Sequence, residues 1–111
     1  MIYAIEAVGS GFVKFGVTAR SETDERLKTM RTGCPYELVV RATAMWPDRE
    51  EFRIHRHLSA YRHRGEWFKI CQETQQVIAV MDEGNIELWF RLLGSEAPSR
   101  LRRILKIVLP Q

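Results

Sequence analysis

The chain has 111 residues, 45% of them hydrophobic, which is enough for one compact core and too little for a second domain of ordinary size. Seventeen Lys and Arg against fourteen Asp and Glu give a formal charge of +3, a mild basic excess that fits a polyanionic partner without requiring one. No apolar run approaches the roughly 18 residues of a membrane span, no leader-like segment opens the chain, and Cys34 and Cys71 lack metal-binding or disulfide-framework spacing, so a cytoplasmic protein with free thiols is expected.

In chain order, Ile2 to Val8 is β-rich and ends in Gly9-Ser10-Gly11, and Phe12 to Thr18 follows; the pair predicts a β-hairpin. Alternation places Val13, Phe15 and Val17 on one face of the second strand and Lys14 and Gly16 on the other. Ser21 with Asp24 and Glu25 signals a helix start; Leu27 and Met30 give that helix an apolar contact, and Thr32-Gly33-Cys34-Pro35 stops it. A third strand spans Leu38 to Trp46. Pro47-Asp48 opens a second helix, with Asp48 a plausible cap; Glu51, His55 and Leu58 form one stripe, and Ile54, Leu58 and Tyr61 the neighbouring apolar face. Glu66-Trp67-Phe68 reads as a short buried strand or turn. Helices follow from about Glu73 to Met81, from Ile86 to Leu93 and from Ser99 to Leu109. The order predicts an α/β (α+β) domain with a small three-stranded antiparallel sheet flanked by helices, a core over residues 1–70 and a C-terminal helical extension over 71–111 packed on it.

Hydrolysis of a phosphodiester needs a base for water, a cation against the phosphorane and a carboxylate for a divalent metal. Tyr3, Lys14, Arg26, Glu51 and His55 offer these groups. Each has an ordinary structural alternative: strand packing for Tyr3, a solvated strand residue for Lys14, a surface ion pair for Arg26, a core position for His55, and Glu50 as rival to Glu51. On a helix, His55 and His57 point about 200° apart, so they cannot hold one ion together. Arg53, Arg56, Arg62 and Arg64 form a basic cluster suited to a nucleic-acid backbone. A second one, Arg100, Arg102, Arg103 and Lys106, lies on an amphipathic tail with Leu101, Ile104, Leu105 and Val108.

The motifs "MIYAI", "VKFGVT", "ERLKTMRTGCP" and "E..IH..L...R..GEWF", in this order, resemble the GIY-YIG nuclease superfamily, in its small phage and bacterial branch. The resemblance covers roughly residues 1–70 and implies a metal-dependent DNA endonuclease using Mg²⁺ or Mn²⁺. It implies that Tyr3 lies beside the attacking water and that Lys14 takes the place of a second tyrosine, where it would favour the Tyr3 phenolate. Arg26 would pair with the scissile phosphate, and Glu51 would hold the metal. Glu66, within Gly-Glu-Trp-Phe, reads as a brace for its loop, and Trp67 and Phe68 as core anchors. The chain departs from the pattern in having Met1 for the leading glycine and Met30 where some members carry a histidine. The competing expectations are a catalytically idle nucleic-acid-binding module and a phage-borne protein-interaction factor. The C-terminal helices offer a homodimer surface.

Overall fold

The computed structural model describes residues 1–19 and 23–94. Strands β1 (Ile2–Ala7) and β2 (Phe12–Val17) form the expected hairpin, followed by helix α1 (Thr23–Arg31) and strand β3 (Leu38–Ala44). Helix α2 (Arg49–His57) and a 3₁₀ turn at Ser59–Tyr61 lead to β4 (Arg62–Arg64) and β5 (Trp67–Lys69). Helices α3 (Gln72–Glu83) and α4 (Ile86–Leu93) complete the described chain.

The sheet has five strands in the order β3-β1-β2-β5-β4, every neighbouring pair antiparallel, and this corrects the expected three-stranded sheet. The two additional strands form a hairpin of three-residue segments, too short for alternation to register in the sequence. β4 is exposed at every position, and β5 buries only Phe68 fully. Gly65, at φ +55°, supplies the left-handed backbone that turns one strand into the other. The third strand ends at Ala44, two residues before the expected Trp46.

Each face of the sheet is covered. Ile2, Ala4, Val13, Phe15 and Phe68 face a large core with Ile54 of α2 and Leu58 just past its end, Val77 and Met81 of α3, and Trp89 and Leu93 of α4. Tyr3, Ile5, Ala7 and Leu38 face a smaller one with Leu27 of α1, packed by Met30, Cys34 and Trp67. The period of two in β1 thus assigns Tyr3 to the α1 side and Ala4 to the opposite side. Among the described residues, Cys34 and Cys71 are free thiols and no helix is long and apolar enough to cross a membrane. The expected helix from Ser99 to Leu109, its basic cluster and the dimer surface it would offer lie outside the described residues.

Asp48 occupies the N-cap position of α2, but its side chain makes no capping hydrogen bond. Glu50, in the first turn of that helix, is fully buried. Its carboxylate accepts a 2.9 Å hydrogen bond from Trp89 Nε1 and lies 3.4 Å from Arg53 Nη1 and 3.6 Å from Arg49 Nε. A buried carboxylate is tolerated only when so partnered. Arg53→Ala should therefore lower stability by about 1–2 kcal/mol, the half-exposed arginine limiting the loss. Glu50→Gln should restore part of it in a thermal melt. A variant that melts like the parent but binds DNA poorly would instead assign Arg53 to the nucleic acid.

Candidate active site

The site gathers where α2 and the β4–β5 turn meet the middle of the sheet. β1 register places Tyr3 opposite Gly16 of β2, and Tyr3 is fully buried. A side chain at position 16 would collide with the Tyr3 phenol: an ideal Cβ there would stand 2.5 Å from Tyr3 Cζ and 2.8 Å from Glu66 Oε2. Glycine in a strand interior weakens the strand, and here its place is explained by the close approach of these two groups. Both Tyr3 Oη and Glu66 Oε2 are buried without a hydrogen-bond partner of good geometry among the described residues. Such atoms cost free energy in a fold and mark places built for something other than stability.

Glu66 enters from the β4–β5 turn, where its backbone carbonyl accepts from Phe15 N at 3.1 Å. Glu51 and His55 enter from one face of α2, four residues apart. The ligand atoms of Glu51, His55 and Glu66 all lie within 4.8 Å of one another. His55 Nε2 stands 2.9 Å from the Phe15 carbonyl and 3.2 Å from Glu51 Oε1. A carbonyl can only accept, so Nε2 carries the proton and donates it. His55 Nδ1 then faces Arg62 Nη2 at 3.5 Å as an acceptor. His55 is thereby committed to orienting Glu51 against β2, which leaves two carboxylates, Glu51 and Glu66, as the groups of this cluster that could hold a cation.

Burial raises the Glu51 carboxyl above its usual range; His55 opposes that rise, and Glu66 and Asp48 add to it. Two neighbouring carboxylates and an unpartnered oxygen fit an oxygen-ligated divalent ion such as Mg²⁺ or Mn²⁺. Burial likewise raises the Tyr3 phenol. The Arg26 guanidinium lies against it and pulls its pKa down, without a hydrogen bond of good geometry, while Glu66 and Glu51 push it up. The net direction is upward, which corrects the expectation that Lys14 favours the phenolate. Lys14 Nζ sits 6.0 Å from the centre of the Trp67 ring and does not govern Tyr3.

The fold thus brings together Tyr3, Arg26, Glu51 and His55, and it separates Glu51 from its rival Glu50, which belongs to the core. His55 and His57 diverge as their spacing requires: His57 packs edge-on against Trp89 at 5.6 Å. The four arginines expected to bind nucleic acid are dispersed. Arg53 serves Glu50 and also lies over Phe90, Arg56 lies over Phe52, and only Arg62 and Arg64 share the exposed strand β4. Glu66, expected only to brace its loop, and Gly16, expected only as a strand position, are the residues whose part in the site sequence reasoning missed. A glycine inside a strand pattern was the available signal for one, and the Gly65 turn preceding Trp67-Phe68 for the other.

The family model for the T5orf172 domain matches residues 1–84, a span that reaches from β1 to the end of α3 and contains every residue of the site. The chain belongs to the T5orf172 domain family. T5orf172 is a phage-associated domain of a nuclease-related group, and DNA is a compatible partner for it. No curated protein and no solved structure gives a significant match to this T5orf172 chain.

Proposed function

We propose that this T5orf172 protein is a metal-dependent DNA endonuclease of the GIY-YIG type. The observation that carries the reading is the convergence of Glu51, His55 and Glu66 within 4.8 Å, beside a buried tyrosine approached by an arginine. Glu51 and Glu66 would hold Mg²⁺ or Mn²⁺, with His55 keeping Glu51 in place. When bound, the ion supplies positive charge against the phosphorane. Arg26 directs its planar fork at the phosphoryl oxygens, and Lys14 adds a second cation on the same sheet face. Tyr3 Oη, in its ionised form, takes a proton from the attacking water.

Supercoiled plasmid incubated with Mg²⁺ or Mn²⁺ should be nicked, and EDTA should stop the nicking. Salt-sensitive retardation of DNA without nicking under any metal would replace this reading with that of a binding module.

Because Tyr3 is held above its ordinary pKa, its ionised fraction grows as pH rises. Nicking should therefore quicken toward alkaline pH by about tenfold per unit while Tyr3 remains mostly protonated. Tyr3→Phe should lose both the rate and the slope and still fold, since it removes an unpartnered buried hydroxyl. A slope that survives Tyr3→Phe would pass the role of base to another group.

A further inference from the structure

On the α1 side of the sheet, a cavity of about 160 Å³ is lined by four rings, Phe12, Tyr36, His63 and Trp67, together with Cys34. Phe12 and His63 stack on each other, their centroids 4.1 Å apart and their planes 18° off parallel. Tyr36 is 46% exposed, an unusual position for a large ring with no core to fill. Lys14 Nζ lies over the Trp67 ring, and Arg64 is the ladder partner of Trp67 on the exposed strand β4. An apolar, ring-lined cavity beside a lysine and an arginine matches the two parts of a nucleotide, a flat base and an anionic phosphate.

The spacing along β2 ties this cavity to the site already described. Phe12, Lys14 and Gly16 alternate onto one face, so Phe12 lies about 13 Å from Gly16 along the strand and Lys14 about halfway between. One sheet face therefore presents, in order, a ring-lined cavity, a cation and the Tyr3 centre. The geometry points to a subsite for an unpaired nucleobase, whose phosphate rests at Lys14 while the neighbouring phosphodiester reaches Tyr3. A base inside a duplex has both faces covered by its neighbours, so only a flipped, bulged or single-stranded base can enter. The protein thereby favours DNA with unpaired nucleotides over uninterrupted duplex. The inference rests on the nucleic-acid reading of the neighbouring site.

The test is binding in EDTA, measured by fluorescence anisotropy. Three labelled duplexes are compared: one fully paired, one with a single-nucleotide bulge, and one with the same bulge made abasic. The bulged base should bind roughly five- to a hundredfold more tightly than the abasic bulge. It should also quench emission from Trp67, the half-buried tryptophan, while Trp46 and Trp89 stay shielded in the core. Tyr36→Ala, at an exposed loop position, should erase that preference and leave affinity for paired duplex unchanged. His63→Ala on exposed β4 serves as the second variant and should act in the same direction. Equal affinity for the two bulges, or an equal loss on every DNA in both variants, overturns the subsite. Plasmid nicking by the same proteins separates the two readings. Base preference without nicking overturns the endonuclease alone, and nicking without base preference overturns the subsite alone. No affinity for any of the three DNAs overturns both.

Discussion

Glu51→Gln should reduce metal-dependent nicking by about a hundredfold or more while raising the melting temperature of the metal-free protein. The two effects have one origin. Burial, with Glu66 and Asp48 nearby, holds the Glu51 carboxyl above its ordinary range despite the pull of His55. A carboxyl whose folded pKa exceeds its unfolded value favours folding most at low pH. That contribution is lost as pH rises through the folded pKa. At neutral pH Glu51 is thus ionised where its charge is disfavoured, and glutamine removes the charge while keeping an oxygen for His55 to meet. The gain should be roughly a few degrees near neutral pH and shrink toward pH 4. Adding Mn²⁺ should stabilise the parent protein and leave Glu51→Gln unmoved, because only the parent holds the ion. Scanning fluorimetry in EDTA and in Mn²⁺ reads all of this without DNA. A variant less stable than its parent at neutral pH, or one that nicks at full rate, would falsify the assignment.

Gly16→Ala should be the most damaging single methyl in the sheet. The added carbon would stand 2.5 Å from Tyr3 Cζ and 2.8 Å from Glu66 Oε2, well inside van der Waals contact. Tyr3 cannot swing aside, because it is fully buried between β2 and α1. The expected cost is about 1–3 kcal/mol of stability from overpacking. Displacing the phenol and one carboxylate by about 1 Å should cost up to roughly a hundredfold in nicking. Denaturant unfolding and the plasmid assay, run on the same preparation, check both. If Gly16→Ala melts and nicks like the parent, Tyr3 and Glu66 do not converge on β2, and the site as described fails.

The parts of this structure written in sequence are those with enough residues to carry a period. The hairpin of β1 and β2 was readable from alternation around a glycine turn, and α4 from its apolar run between Asn85 and Gly94. β4 and β5 were not, since three residues cannot display a period of two, and Arg-His-Arg is as plausible in a loop as at a sheet edge. For the site, the order of motifs singled out Tyr3, Lys14, Arg26 and Glu51, and helical spacing added His55; Tyr3, Arg26, Glu51 and His55 lie on three elements that only the fold brings together. Spacing to His55 and to Gly65-Glu66-Trp67-Phe68 favoured Glu51 over Glu50, but what holds Glu50 in the core could not be read, because it depends on α4 supplying Trp89 Nε1 to bury it. The direction of the Tyr3 shift was misjudged for a similar reason. Neighbourhood to Lys14 was visible in the hairpin, whereas the depth of burial was a property of α1 closing over the sheet.

The β4–β5 hairpin is joined to the rest of the sheet through only three paired positions of β2, supplemented by the Phe15–Glu66 backbone bond. It nevertheless carries Glu66 at its turn, and Trp67 and His63 on its strands. One carboxylate of the pair and two of the cavity's four rings therefore sit on a single structural unit, the β4–β5 hairpin. If Glu51 and Glu66 hold a divalent ion as proposed, the ion would lower the entropy left for a nucleobase to remove, and a seated base would do the same for the ion. Thermodynamic reciprocity would then require each to raise the other's affinity by an equal factor. Under the proposed function, metal and nucleic acid would be mutual effectors, coupled through the two three-residue strands of this hairpin, β4 and β5.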